Sequence, residues 1–572
     1  MMNHMASISS GNKEAWYRKV ISLSGSLGLA AILLAAVLLS LGLSGLVGAA
    51  GDPIAGPHIA VDSCSVEEDG SGSHATIQAA VSDAACDMVM VGAGTFSETV
   101  TIGRSVVVEG QGAGLSVVDG NASGSVFVIE DGWEVTISGL TIQNGSANGG
   151  GGIDNGGSLR LVNSTVTSNT ATWSGGGICN CSGILTMTGS TVSDNTAGWG
   201  GGGIYDLGRF TIADSVIMGN SAADWGGGGM FVGGGYQTEI VTNSVFKSNS
   251  AMWGGGIDLE GGILDVSHST FSDNTAIAGG ALSNQYNGRL TVRHSTINSN
   301  TASVGGGIDS NDWLTVTHST VSGNMAQSNG GGLYVSRGFT LTHSTVSDNS
   351  AGGEGGGIYG TPQSGYMANS IVANNTGGGD CSGDIVSEGH NLDSDSTCGL
   401  DGPGDISASY PKLGPLQDNG GPTWSHDLLA GSPALDAGSC PGETVDQRGF
   451  FRPFDLHLVA NAADGCDIGA LEHQASPIVG LAAHNNGPTL LHAPTTFNVS
   501  LTAGEFSTYT WDFGDGEQGV GIEATHTYTM AGLYTATVTA SNDEGSALAS
   551  TAVEVIVPDP VVYLPLALKS GE

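Results

Sequence analysis

Residues 305–324 read Gly-Gly-Gly-Ile-Asp-Ser-Asn-Asp-Trp-Leu-Thr-Val-Thr-His-Ser-Thr-Val-Ser-Gly-Asn, and the parts of this stretch recur along much of the chain. Leu314 to Val321 alternates apolar and polar residues with period 2, the pattern of a half-buried strand. A glycine run ending in Ile308 precedes it and Asn324 follows it. Equivalent asparagines stand at Asn169, Asn195, Asn220, Asn249, Asn274, Asn300, Asn324, Asn349 and Asn374, in steps of 24 to 29 residues. Three positions before each comes a β-branched or aromatic residue, from Val166 to Ile371. The glycine runs end in Ile153, Ile178, Ile204, Met230, Ile257, Leu282, Ile308, Leu333 and Ile358. Leucine-rich, tetratricopeptide and ankyrin repeats are excluded because their signatures or helices are missing, and the nine-residue calcium-binding glycine repeat has the wrong period. The remaining solution is a parallel β-helix with about 25 residues per coil.

Coils stacked at about 4.8 Å place one register of every coil in a column. Identical asparagines can then hydrogen-bond as a ladder, and they are expected at turn positions that tolerate positive φ. Glycine runs let the backbone turn where any Cβ would collide. This gives an architectural meaning to 96 glycines in 572 residues, since 16 prolines and no G-X-Y period exclude collagen. A phosphate-binding loop would need a following helix and lysine.

Fourteen Lys and Arg against 54 Asp and Glu give a formal charge of −40, which excludes nucleic acid and disfavours anionic membranes and polyanionic glycans as partners. With 12% charged residues and a mean hydropathy of +0.07, the chain is too apolar for acidic disorder. Lys13, Arg18 and Lys19 precede an uncharged run from Val20 to Gly51 that closes on Val47-Gly48-Ala49-Ala50. It reads as a signal peptide or, if uncut, an N-terminal membrane anchor, and either places the rest outside the cytoplasm. Eight cysteines (Cys64, Cys86, Cys179, Cys181, Cys381, Cys398, Cys440 and Cys466) suit an oxidising exterior and leave 105 pairings open. No CxxC pair with histidines at zinc spacing occurs, so neither a metal nor a cofactor is expected.

Three columns carry chemistry. Trp173, Trp199, Trp225 and Trp253 lie at nearly one register before the glycine runs, and are expected to form an aromatic strip for sugar rings or a cross-coil ladder. His268, His294, His318 and His343 share a register with Asn243 and Asn369, which favours a structural ladder over a metal site. Asp154, Asp258 and Asp309 follow the apolar residue that ends a glycine run, but intervening coils separate them, which weighs against a glycosidase pair.

Several motifs resemble known families. Gly-Gly-Gly-Ile paired with Phe246-Lys247-Ser248-Asn249 and Phe271-Ser272-Asp273-Asn274 resembles the GGA[ILVY] and FxxN repeats of polymorphic outer-membrane proteins, surface adhesins with the pectin-lyase-like right-handed β-helix; most coils here carry Val or Ile in place of Phe. His74 to Val81, Met88 to Val91, Gly94 to Phe96 and Val106 to Gly110 resemble the opening of bacterial right-handed β-helices, where a short helix caps the first coil. Pro411 to Leu416, Asp418 to Thr423, Gly431 to Gly438, Asp446-Gln447-Arg448-Gly449 and Cys466 to Glu472 resemble the choice-of-anchor Q segment that closes such helices, which implies a capping salt-bridge role for Asp446-Gln447-Arg448. Trp511-Asp512-Phe513-Gly514-Asp515-Gly516, His526-Thr527-Tyr528 and Gly532 to Ala540 resemble a PKD domain.

The expected architecture is all-β. It comprises a signal or anchor over 1–50, a right-handed parallel β-helix over 51–375, its anchor-like C-terminal part over 376–475, an immunoglobulin-like PKD sandwich over 476–557 and a tail over 558–572. The expected function is that of an exported bacterial surface or secreted protein, monomeric and non-catalytic, which binds extracellular glycans or cell-surface proteins through Trp173, Trp199, Trp225 and Trp253, with the PKD domain as spacer. Membrane contact is expected only through the N-terminal segment or the tail. The alternatives are a polysaccharide lyase or glycoside hydrolase, and a structural surface-layer component.

Overall fold

A computed structural model of the chain describes residues 62–558 apart from 236, 362–364 and 506. The proposed export segment and the C-terminal tail lie outside the described residues. Among the described residues no helix is long and apolar enough to cross a membrane.

The coil around residue 316 shows how sequence makes the fold. Ile308–Ser310, Trp313–Thr317 and Thr320–Ser322 are strands, and their inward side chains Ile308, Leu314, Val316 and Val321 are buried. Each pairs in parallel with its equivalents one coil away: Leu282, Ile308 and Leu333; Leu290, Leu314 and Phe339; Ile297, Val321 and Val346. Repetition builds three parallel sheets of 14, 13 and 12 strands among the described residues, around one continuous apolar core. At the N-terminal end helix α1 (Ile77–Ser82) adds Ile77, Ala80 and Val81 to that core. Thr76 Oγ1 accepts from Ala79 N, and the Glu98 carboxylate accepts from the amides of Ile77 and Gln78, so the first-turn donors are satisfied.

The asparagines form the expected ladder, with two corrections. Asn249 Nδ2 donates at 3.0 Å to both Ile217 O and Asn274 Oδ1, while Asn249 Oδ1 accepts from the amide and Nδ2 of Asn220. The left-handed residue is the one before each asparagine, as at Ser248 with φ 55 and Asp273 with φ 58, because the buried amide must point inward while the turn reverses just ahead of it. The ladder also passes from Asn349 to Asn375 and ends on Asp380; Asn374, with φ 61, takes the left-handed position, and Val372 rather than Ile371 pairs with Val346.

The glycine runs divide their work. Gly201, with φ 62, makes a turn that L-residues resist, and a Cβ on Gly202 would lie 2.5 Å from Gly228 O of the next coil. The third position of the run is held by Ala281 in one coil, so a methyl is tolerated there.

Beyond the strand Leu392–Asp393 the anchor-like segment does not simply close the end of the helix. It runs back along the side of the 13-stranded sheet. Gln447, fully buried, accepts from Thr320 Oγ1 at 2.6 Å and donates to Thr296 Oγ1, Thr423 Oγ1 and Trp424 O. Further along, His426 meets Ser322 Oγ, and the amides of Ser439 and Ala470 donate to Asn369 Oδ1 and Thr345 Oγ1. This strap has its own small core, in which Leu428, Leu435, Leu456 and Ile468 pack with Ile371 and Leu392. Arg452 and Glu472 pair at 2.8 Å, both fully buried, and Arg448 pairs with Asp446 at 2.7 Å. The disulfides are Cys64–Cys86, Cys179–Cys181, Cys381–Cys398 and Cys440–Cys466. A C-terminal sandwich of a three-stranded and a five-stranded sheet closes on Phe497, Trp511, Phe513 and Tyr528.

Candidate functional site

The outer face of the 12-stranded sheet carries a second, external cluster. Registered pairing aligns Asp154, Cys179, Tyr205, Phe231, Asp258, Ser283, Asp309, Tyr334 and Tyr359 in one outward column. Cys179, Tyr205 and Phe231 are buried there, and Trp199 and Trp225 pack over them. Tyr205 and Phe231 stack at 4.8 Å; Trp199 lies 5.6 Å from Trp225 with planes at 20°.

The four tryptophans are not one uniform strip. Trp253 pairs with Gly226 instead of Trp225, because its glycine run is one residue shorter, and its ring meets Trp225 tilted at 55°. Trp173 is 64% exposed and lies outside the stacked rings. Trp199 and Trp225 turn their ring faces toward one another, whereas Trp173 is the most exposed of the four. Glu260 joins this group, its Oε1 accepting from Trp225 Nε1 at 2.8 Å. The sequence pattern did not single it out, since its link to Trp225 spans 35 residues and joins adjacent coils out of register.

The aspartates of the same column are closed off. Asp258 is 1% exposed and Asp309 4%, with Ser283 between them. Two coil steps put their backbones about 10 Å apart, near the upper bound for an inverting pair. Burial pushes both carboxyls up to about 7, and for Asp258 the charges of Glu260 and Asp309 add to the effect. Access is the obstacle: the Gly226 backbone lies directly over Asp258. Asp154 is half-buried, and burial raises its carboxyl too.

On another edge the histidines stack with ring centroids 5.0, 5.0 and 4.9 Å apart. All four have φ between 45 and 49, the left-handed turn that Asn243 and Asn369 also adopt, which explains why this register takes His and Asn, and Gly189 or Asp214 in earlier coils. The strap covers its C-terminal half. His294 Nδ1 lies 3.1 Å from Asp446 O, and His318 Nε2 is 3.5 Å from Glu443 Oε2. Burial, with the neighbouring imidazole and Arg452 adding to it, brings His318 down to about 2; burial and then Arg452 bring His343 to about 4. A shallow groove of about 420 Å³ on the 14-stranded sheet is lined by residues that include Asp87, Glu134 and Arg160.

Residues 211–377 match the family model for a right handed beta helix region, and residues 480–555 match that for a PKD domain. No curated protein matches the chain. Among solved structures, the PKD1 domain of Vibrio anguillarum Epp is 26% identical over 14% of this chain and 96% of its own, with a TM-score of 0.12. The PKD domain of the human VPS10 domain-containing receptor SorCS2 is 23% identical over 18% and 99%, with a TM-score of 0.15. Pectate lyase Pel9A is 14% identical over 68% and 88%, with a TM-score of 0.30. The chain thus joins a parallel β-solenoid of the right-handed β-helix type to a PKD-type sandwich.

Proposed function

We propose that this is an exported surface protein that binds neutral extracellular glycans without cleaving them, the PKD domain serving as spacer. The observation that carries the reading is the exposed Trp173 on the solenoid flank, with the ring contacts of Trp199, Trp225 and Trp253 further along and Glu260 as a polar partner of Trp225. A sugar stacks on Trp173, the most exposed indole of the four. The burial of Asp258 and Asp309 supports binding over hydrolysis, because a polysaccharide needs both carboxyls at the surface. A charge of −40 favours neutral over uronate chains.

The test is an array of neutral and acidic polysaccharides probed with the wild type and Trp173→Ala, followed by assays for new reducing ends and unsaturated products. The expected result is retention of a neutral glycan, weakened at least about fivefold by Trp173→Ala, with no turnover. Turnover, or binding indifferent to Trp173, sinks the reading. Trp199 and Trp225 are poorer probes, because both pack on Tyr205 and Phe231 and their truncation also disturbs the fold.

A further inference from the structure

The strap brings a carboxylate to the histidine ladder. His318 and His343, in adjacent coils, are 5% and 7% exposed, and Glu443 comes from a turn 100 residues further along the chain. One ring nitrogen of each histidine and a Glu443 oxygen all lie within 4.8 Å of one another. His318 Nε2 is buried without a hydrogen-bond partner, and neither ring nitrogen of His343 makes a well-formed hydrogen bond, the Ser439 backbone being the polar group beside it. Buried polar atoms are nearly always hydrogen-bonded or ligated, so a missing ligand is the natural explanation.

We propose that His318, His343 and Glu443 bind a zinc-class divalent cation that pins the strap to the solenoid. Two imidazoles and one carboxylate are a standard donor set for Zn²⁺, with solvent completing a tetrahedron. In such a site donor atoms stand about 3.4 Å apart, given metal–ligand bonds of about 2.0–2.2 Å. The His318 to Glu443 separation of 3.5 Å already fits. The rings of His318 and His343 are parallel, so a shared ion requires them to turn about Cβ–Cγ until their lone pairs converge. Glu443 is half-exposed at the strap surface and is free to follow. Among the surrounding charges, the Arg452 guanidinium is paired with Glu472, and Asp464 adds a negative charge beside His343. All eight cysteines are in disulfides, so no thiolate competes for the ion.

The position allows a clean test, because Asn243 and Asn369 occupy the same register and show that His→Asn keeps the left-handed turn. The full chain, stripped with chelator, is titrated with Zn²⁺ by calorimetry and with Co²⁺ by visible absorption. The wild type is expected to take one ion, with a tetrahedral Co²⁺ spectrum and a zinc-dependent rise in melting temperature. His343→Asn and Glu443→Gln are expected to weaken binding at least tenfold and to lose that rise, while His268→Asn, on the same ladder away from Glu443, leaves both unchanged. Melting temperatures without metal verify that the variants fold. Absence of stoichiometric zinc in the wild type, or affinities within twofold of wild type in both His343→Asn and Glu443→Gln, overturns the proposal and leaves water as the partner of these nitrogens.

Discussion

The carboxylate of Asp258 lies directly over the α-carbon of Gly226, leaving no space for a side chain between them: a Cβ on Gly226 would fall inside bonding distance of Oδ2. One coil's glycine run is thereby the lid on the next coil's acid. Trp253, one residue out of step with Trp225, marks the place where the runs shorten.

Gly226→Ala is expected to destabilise the solenoid by about 1–3 kcal/mol through overpacking. Asp258→Ser, which copies Ser283 in the next coil, removes the obstructing carboxylate and should recover most of that loss in the double variant. Thermal melts of the two single variants and the double variant check this; a double variant no better than Gly226→Ala refutes the contact as the cause.

Asp258 also predicts a pH dependence. Burial holds its folded carboxyl near 7, above an ordinary value of 3.8, so between these pH values the folded protein keeps a proton that the unfolded chain has released. Its contribution is fully present below about pH 4 and is lost as pH rises through about 7. The melting temperature of the wild type minus that of Asp258→Ser should therefore fall from pH 4 to pH 8. A difference independent of pH counts against the buried protonated acid.

Adjacent asparagines should respond very differently to alanine. Asn375→Ala removes the acceptor of the Asn349 amide and side chain and the donor to Val346 O, all buried, and should cost about 4 kcal/mol or more. Asn374→Ala loses only a favourable left-handed residue, about 1–2 kcal/mol. Equal effects in denaturant melts would contradict the placement of the ladder at Asn375.

Gln447→Ala is expected to loosen the strap without unfolding the coils. It takes from the Thr320 hydroxyl its acceptor and removes one donor from each of Trp424 O and the hydroxyls of Thr296 and Thr423, which keep their bonds to one another and to His294 O. Limited proteolysis should then cut within residues 411–475 at least tenfold faster, while the coils resist. Unchanged cleavage would show that the apolar contacts of Leu428, Leu435 and Ile468 hold the strap alone.

The repeat by itself determined the solenoid, because a β-helix coil is a local object: alternation selects the inward residues and a fixed period stacks them, as at Leu290, Leu314 and Phe339. The histidine column was legible for the same reason, the tryptophan one only for Trp199 and Trp225. Register within a turn was not. A single inserted or deleted residue is absorbed by the backbone, so whether Asn374 or Asn375 joins the ladder, and whether Trp253 faces Trp225 or Gly226, depends on which arrangement satisfies the buried amides. The tertiary structure alone decided what covers each column. The sealing of Asp258, the bond from Trp225 to Glu260 and the meeting of Glu443 with His318 join residues from different coils or from the strap, and no periodicity encodes contacts made by a segment that has left the repeat.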